Sequence, residues 1–177
     1  GLDAFARTLA AQKLDWATLD DARLDQILDE LLPPLIAAHN DGLLLRDPRL
    51  KATLSLRIDA LRRCILAIRE QLAAGRFRPL KTELSFGMDG GLPPVQLQLS
   101  NGRVVLLRGR VDRVDRSPDG LLRVIDYKTH GKPFDPAGVY DGELLQLPLY
   151  LCAIKGLGGE VVGAYYMPLL PPPTDED

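Results

Sequence analysis

Residues 104–128, read VVLLRGRVDRVDRSPDGLLRVIDYK, constrain this chain more than any other stretch. Two β-type runs, 104–114 and 121–128, flank Ser117-Pro118-Asp119-Gly120. Pro118 pre-sets φ, Asp119 can bond its own backbone, and Gly120 tolerates φ > 0, so the four residues read as a turn. A hairpin folded about that turn brings Asp112 on the first run beside Asp126 on the second. Residues two apart on a strand share a face. Asp126 and Lys128 therefore point one way, and Ile125 and Tyr127 the other. The apolar Val124 and Ile125 suggest a central strand, where an unpaired charge is costly.

Two carboxylates and an ammonium in that arrangement have a chemical use. Hard oxygen ligands hold a divalent cation, and a lysine beside it positions or deprotonates a water. Such a site hydrolyses phosphodiesters. The plainer alternative is a cross-strand ion pair on a solvated sheet face, the common fate of an isolated D-x-K. The further acid on the preceding strand favours the catalytic reading.

Composition sets the bounds. The 177 residues suffice for one domain with a sizeable core, and 46% hydrophobic with 26% charged residues describes an ordinary globular chain. No apolar run reaches the ~18 residues of a membrane span, and the N-terminus lacks a signal pattern. Cys64 and Cys152 have no metal or disulfide spacing and suit a reducing cytoplasm as core thiols. The net charge of −2 argues against a general nucleic-acid binder. Locally, however, Arg103, Arg108, Arg110, Arg113 and Arg116 cluster around the hairpin and can contact phosphates, or else pair with Asp112, Asp115 and Asp119. A start at Gly1 and an acidic end after Pro171-Pro172-Pro173 read as a piece of a longer protein.

Upstream the pattern is helical. Residues 3–14 form one helix with Asp3 as N-cap. Residues 20–40 form a second, with a stripe of Leu24, Ile27, Leu28, Leu31 and Leu32 that Pro33-Pro34 interrupts. His39 beyond it reads as a surface or capping residue. From Pro48, Leu50, Leu54, Ile58, Leu61, Ile65, Ile68 and Leu72 recur at steps of three and four, the face of a long helix ending at Gly75. Its arginines read as a solvated face. Strands follow at 77–86 and 95–99, and Asn101-Gly102 is a strong hairpin signal. Glu83 lies on the first of these strands. Residues 141–155 read as a helix capped by Asp141 and stopped by Gly156, with Gln146 and Tyr150 on one face. Pro148 should kink it. A last strand covers 161–167.

GRVDRVD at 109–115, VIDYKT at 124–129 and LLQLPLYL at 144–151 together resemble the PD-(D/E)XK nuclease superfamily. Over about residues 77 to 167 the chain is similar to the RecB-type branch, and within it to the C-terminal nuclease domain of the B subunit of bacterial AddAB-type helicase–nucleases. The resemblance implies an α/β, restriction-endonuclease-like core (αβββαβ) with a mixed central sheet flanked by helices and preceded by extra N-terminal helices. It divides the chain into a helical part at 1–76, a nuclease core at 77–170 and an acidic tail at 171–177. It implies Mg²⁺, or Mn²⁺ in its place, on Asp112, Asp126 and the backbone carbonyl of Tyr127, with Glu83 as a further acid near the metal. Lys128 is then the catalytic lysine, and Gln146 and Tyr150 line the cleft. Arg110, Arg113 and His130 are DNA-contact candidates.

The implied partners are DNA, as single strands delivered by a helicase, and a second helicase–nuclease subunit, working on double-strand breaks in the bacterial cytoplasm. Two features depart from the family. Phe5 stands where the first helix often carries a metal-binding histidine, and His130 where a glycine or small polar residue commonly follows the threonine. Two isolated cysteines cannot supply the four ligands of an iron–sulfur cluster, so none is expected within this chain. A catalytically inactive DNA-binding or scaffolding module stays open, as does a stand-alone RecB-type or CRISPR-associated exonuclease.

Overall fold

The computed structural model describes residues 1–38, 48–128, 135–142 and 144–169. His39, His130 and the acidic tail lie outside the described residues. The chain forms two compact units, Gly1–Arg76 and Phe77–Asp177.

The first unit is helical: α1 (Leu2–Gln12), a 3₁₀ turn (Trp16–Thr18), α2 (Asp21–Ala38) and α3 (Pro48–Ala74). Phe5, Leu9, Leu24, Ile27, Leu28, Ile65, Ile68 and Leu72 are among its buried apolar side chains. Burying each contributes about 1.5–3 kcal/mol. Gly1, not Asp3, caps α1, because the Phe5 N–H bonds the Gly1 carbonyl; Asp3 sits in the first turn and pairs with Arg7. Phe5 packs edge-on against Trp16 with ring centroids 5.3 Å apart.

Pro33 and Pro34 do not interrupt α2, which runs through them to Ala38. Each proline removes one donor to the preceding turn. Asp29, Glu30 and both prolines are exposed there, so water can serve the carbonyls left without a donor. Two arginines of α3 are engaged with α2 rather than simply solvated. Arg62 grips Asp25 through two bonds of 2.7 and 3.0 Å, and Arg69 meets Asp21 at 2.6 Å.

The second unit is built on a four-stranded mixed sheet in the order β1-β4-β5-β6, from β1 (Arg78–Phe86), β4 (Gly109–Arg116), β5 (Leu122–Lys128) and β6 (Val161–Pro168). β1, β4 and β5 are antiparallel neighbours, and β6 joins β5 in parallel. The turn between β4 and β5 forms as its residues dictate. Gly120 has φ of 86°, its N–H reaches the Ser117 carbonyl at 3.0 Å, and the Ser117 hydroxyl accepts from the Leu121 N–H. The run expected to span 104–114 as one strand is two. β3 (Val104–Leu107) pairs with β2 (Val95–Gln98) in a separate hairpin, and β4 starts at Gly109. At the start of β4 a Cβ on Gly109 would lie 2.8 Å from the Phe86 ring, so a larger residue there would have to displace it.

A parallel pair needs a crossover, here α4 (Pro136–Tyr140), α5 (Gln146–Ile154) and a 3₁₀ turn (Lys155–Leu157). The helix expected over 141–155 is thus shorter. Asp135 caps α4, Asp141 ends it, and α5 begins after Leu145. That start also accounts for Pro148. It falls in the first turn of α5, where its missing N–H had no helical acceptor to lose, so no kink is required. Leu147, Tyr150, Ala153 and Ile154 of α5 pack with Phe86, Val111, Val114, Leu122 and Val124 of the sheet in one core. Cys152 is on the exposed side of α5 and is not the core thiol expected; Cys64 is buried.

Candidate active site

The site grows out of the end of the β4–β5 ladder. Arg113 pairs with Ile125, and the next positions along the register are Asp112 and Asp126. There the backbones no longer pair: the Tyr127 N–H donates instead to Asp112 Oδ2 at 2.8 Å. Asp126 is 1% exposed. Its Oδ2 faces Lys128 Nζ at 2.6 Å, and its Oδ1 accepts from the Gln146 amide at 2.9 Å. Gln146 completes a loop of bonds, since its Oε1 accepts from Lys128 Nζ at 2.7 Å and its Nε2 lies 2.8 Å from the Tyr150 hydroxyl. The i, i+4 placement of Gln146 and Tyr150 on α5 puts both over the strand end.

Thus Asp112, Asp126, Lys128, Gln146 and Tyr150 share one face of the sheet beneath α5. Lys128 is also held from β6, where the Tyr166 ring centroid lies 5.0 Å from Nζ. Sequence reasoning missed Tyr166, because its place depends on the parallel register that sets it opposite Asp126.

The electrostatics follow from this crowding. Burial pushes the Asp112 carboxyl above the ordinary range, helped by Asp126 and Glu83 and opposed by the Tyr127 N–H and Lys128. Partial burial works against the Lys128 ammonium, yet the Asp126 carboxylate outweighs it and holds the lysine above its usual value. Burial also raises Tyr150.

Glu83 stands in β1 between the rungs Thr82–Arg113 and Leu84–Val111, at the level of Asp112. Its φ of 51° is left-handed, a conformation costing a non-glycine residue about 1–3 kcal/mol. Its carboxylate is paired with Arg110 at 3.1 Å. Arg110 is exposed, as a phosphate contact requires.

Arg113 is not. It is 1% exposed and tied to Asp115, so its proposed contact with DNA is corrected: its parity sets it on the sheet face opposite Asp112. Arg116 is likewise engaged, with the carbonyls of Leu157 and Gly158 at 3.0 and 2.9 Å.

Among the described residues no three His, Cys, Asp or Glu side chains converge as a complete metal cage. Two carboxylates converge, with no thiol or imidazole beside them. One is oriented by a backbone N–H. The other has a buried Oδ2 that meets only an ammonium. This all-oxygen donor set fits a hard cation such as Mg²⁺ or Mn²⁺, which keeps several of its own waters.

The hairpin thus bears an acid on one arm and D-x-K on the other, roofed by a helix with Gln and Tyr. The PD-(D/E)XK nuclease superfamily profile matches residues 2–176, and the chain belongs to that superfamily. Named relatives narrow the likeness. The chain is 38% identical to the B subunit of the ATP-dependent helicase/deoxyribonuclease of Moorella thermoacetica, over 92% of this chain and 14% of the relative. It is 38% identical to the corresponding protein of Symbiobacterium thermophilum, over 97% and 16%. For that of Clostridium botulinum strain Hall the figures are 36%, 95% and 16%. The chain spans between 14% and 16% of the length of these relatives. No helix among the described residues is long and apolar enough to cross a membrane.

Proposed function

We propose that this chain hydrolyses DNA phosphodiesters with Mg²⁺, or with Mn²⁺ in its place, as the nuclease module of a helicase–nuclease subunit. The observation that carries the reading is the convergence of Asp112, Asp126 and Lys128 at one strand end. Residues 77–170 form the nuclease core, and residues 1–76 its helical N-terminal part. Asp112 and Asp126 would hold the cation, with the Tyr127 carbonyl as third protein ligand and Glu83 as an additional acid nearby. The cation, when bound, supplies a water of lowered pKa and offsets phosphate charge.

The chain's own groups do the rest. The Tyr127 N–H fixes one oxygen of Asp112, leaving the carboxylate aimed. Gln146 holds Asp126 and Lys128 in one geometry. Lys128, kept as an ammonium beside Asp126, donates to the attacking water or to a phosphate oxygen as charge builds there. Arg110 lies exposed beside the site to meet the DNA backbone. The relatives are B subunits of an ATP-dependent helicase/deoxyribonuclease, which supports DNA as substrate and a partner subunit; we extend this to single strands delivered by a helicase and to work on double-strand breaks in the bacterial cytoplasm.

The test is cleavage of linear single-stranded DNA with and without Mg²⁺, by the chain and its Asp126→Ala form. The expected outcome is metal-dependent cleavage lost in the variant. DNA binding without cleavage by the unaltered chain would favour an inactive DNA-binding module, to which Phe5 in place of the helix histidine lends some support.

A further inference from the structure

At the level of the site, β4 and β5 stop pairing through their backbones; the last rung joins Arg113 to Ile125. Beyond it, side chains on both faces of the sheet take over. On the site face, Asp112 Oδ2 accepts the Tyr127 N–H at 2.8 Å. On the opposite face, Arg113 Nη1 donates to the Tyr127 phenol at 2.9 Å, with the guanidinium 5.6 Å from the ring centroid. Two consecutive residues of β4 therefore grip Tyr127 from opposite sides, and Tyr127 is the residue between Asp126 and Lys128.

Arg113 is itself locked. Its Nε and Nη2 meet Asp115 at 2.8 and 3.1 Å, and Asp115, fully buried, also binds Arg123 at 2.9 Å. Arg123 in turn stacks on the Phe77 ring at 4.5 Å. Burial pushes the Tyr127 phenol up to about 12, so it stays a neutral hydrogen-bond partner. Taking these charges out of water is expensive, and apolar residues of similar volume commonly hold a sheet at least as well. The network fits a need for exact position better than a need for stability.

We propose that Arg113, acting through the Tyr127 phenol, is a positioning residue for the metal site: the clasp sets the separation of the strand ends that carry Asp112 and Asp126. The inference rests on the reading of those two acids as cation ligands. Groups that orient ligands from one bond away typically change metal affinity by about 10–100-fold.

Tyr127→Phe is the sharpest variant, since it keeps the ring, the N–H and the carbonyl and removes only the phenolic oxygen. Arg113→Lys, which cannot fork between Asp115 and Tyr127, is the second. Three quantities are measured on the whole chain: hydrogen exchange at amide 127 without metal, Mn²⁺ affinity by calorimetry, and the melting temperature. Tyr127→Phe is expected to melt close to the unaltered chain, exchange faster at amide 127 and bind Mn²⁺ about tenfold more weakly. Adding Arg113→Lys should weaken Mn²⁺ binding little further, because both changes break one link. Unchanged exchange and unchanged affinity in Tyr127→Phe would overturn the clasp. Failure of the unaltered chain to bind Mn²⁺ would sink the metal-site reading instead, and exchange at amide 127 would still decide whether the clasp exists.

Discussion

The two faces of the central sheet carry similar charges on alternate residues of the same two strands, and treat them in opposite ways. On one face Asp112, Asp126 and Lys128 meet. Lys128 keeps 37% of its side chain open, and the Asp112 carboxylate leans on a single N–H. On the other, Asp115 is 0% exposed and both of its oxygens meet guanidinium groups. Both faces contain ion pairs, so the presence of a pair distinguishes nothing. Access does. The charges around Asp115 are sealed from solvent and turned toward one another, whereas the open face leaves Lys128 within reach of a ligand.

That contrast breaks most readily at Lys128. Lys128→Ala is expected to lower metal-dependent cleavage by about 10²–10³-fold, the usual range for losing a donor aimed at developing charge, while DNA binding persists in a gel-shift assay. Undiminished cleavage would make the open face as architectural as the closed one. On the buried face the expected loss is of stability. Asp115→Asn leaves Arg113 and Arg123 without their shared counter-charge, and urea unfolding should show about 3–5 kcal/mol of destabilisation. A near-neutral result would mean that water reaches that face.

The smallest effect sharpens the comparison through pH. Asp112 has its carboxyl raised, chiefly by burial. A carboxyl whose folded-state pKa exceeds its unfolded one favours folding while it is protonated, and that benefit is lost as pH rises through the folded value. Asp112→Asn keeps an acceptor for the Tyr127 N–H without the charge. It should therefore melt slightly higher than the unaltered chain at neutral pH, with the difference shrinking as pH falls toward the ordinary carboxylate range. A variant that melts lower at pH 7 would show that the charge is better solvated than the site's geometry implies.

Much of this was legible before any coordinates. Period-two runs, the Ser117–Gly120 turn and the spacing of Asp112, Asp126 and Lys128 are local features, and local chemistry decides them. The shared face of Gln146 and Tyr150 was legible from their spacing, and their place by the site from the family resemblance, although the helix that carries them starts later than Asp141 suggested. The start was obscured because Pro148 looks like a breaker unless one knows it occupies a first turn. Arg113 could have been placed correctly by parity alone, since it must face away from Asp112; its place in the arginine cluster around the hairpin suggested otherwise. Tyr166 and the left-handed backbone of Glu83 were out of reach. One depends on a parallel pairing made across a long connection, the other on a backbone conformation that no residue type other than glycine advertises.

The excursion between β1 and β4 has a consequence of its own. Those two strands are direct neighbours, yet residues 87–108 leave and return between them, from Phe86 to its rung partner Gly109. The root of the excursion, Leu92 and Val95, packs on the core, whereas Leu97, Leu99 and Val104 toward its tip are exposed. Closing a longer or shorter connection changes the entropy of the chain only slowly with length. The outer hairpin is thus a region where insertions and deletions can accumulate without shifting any strand of the sheet, and where chains sharing this core are free to differ in size.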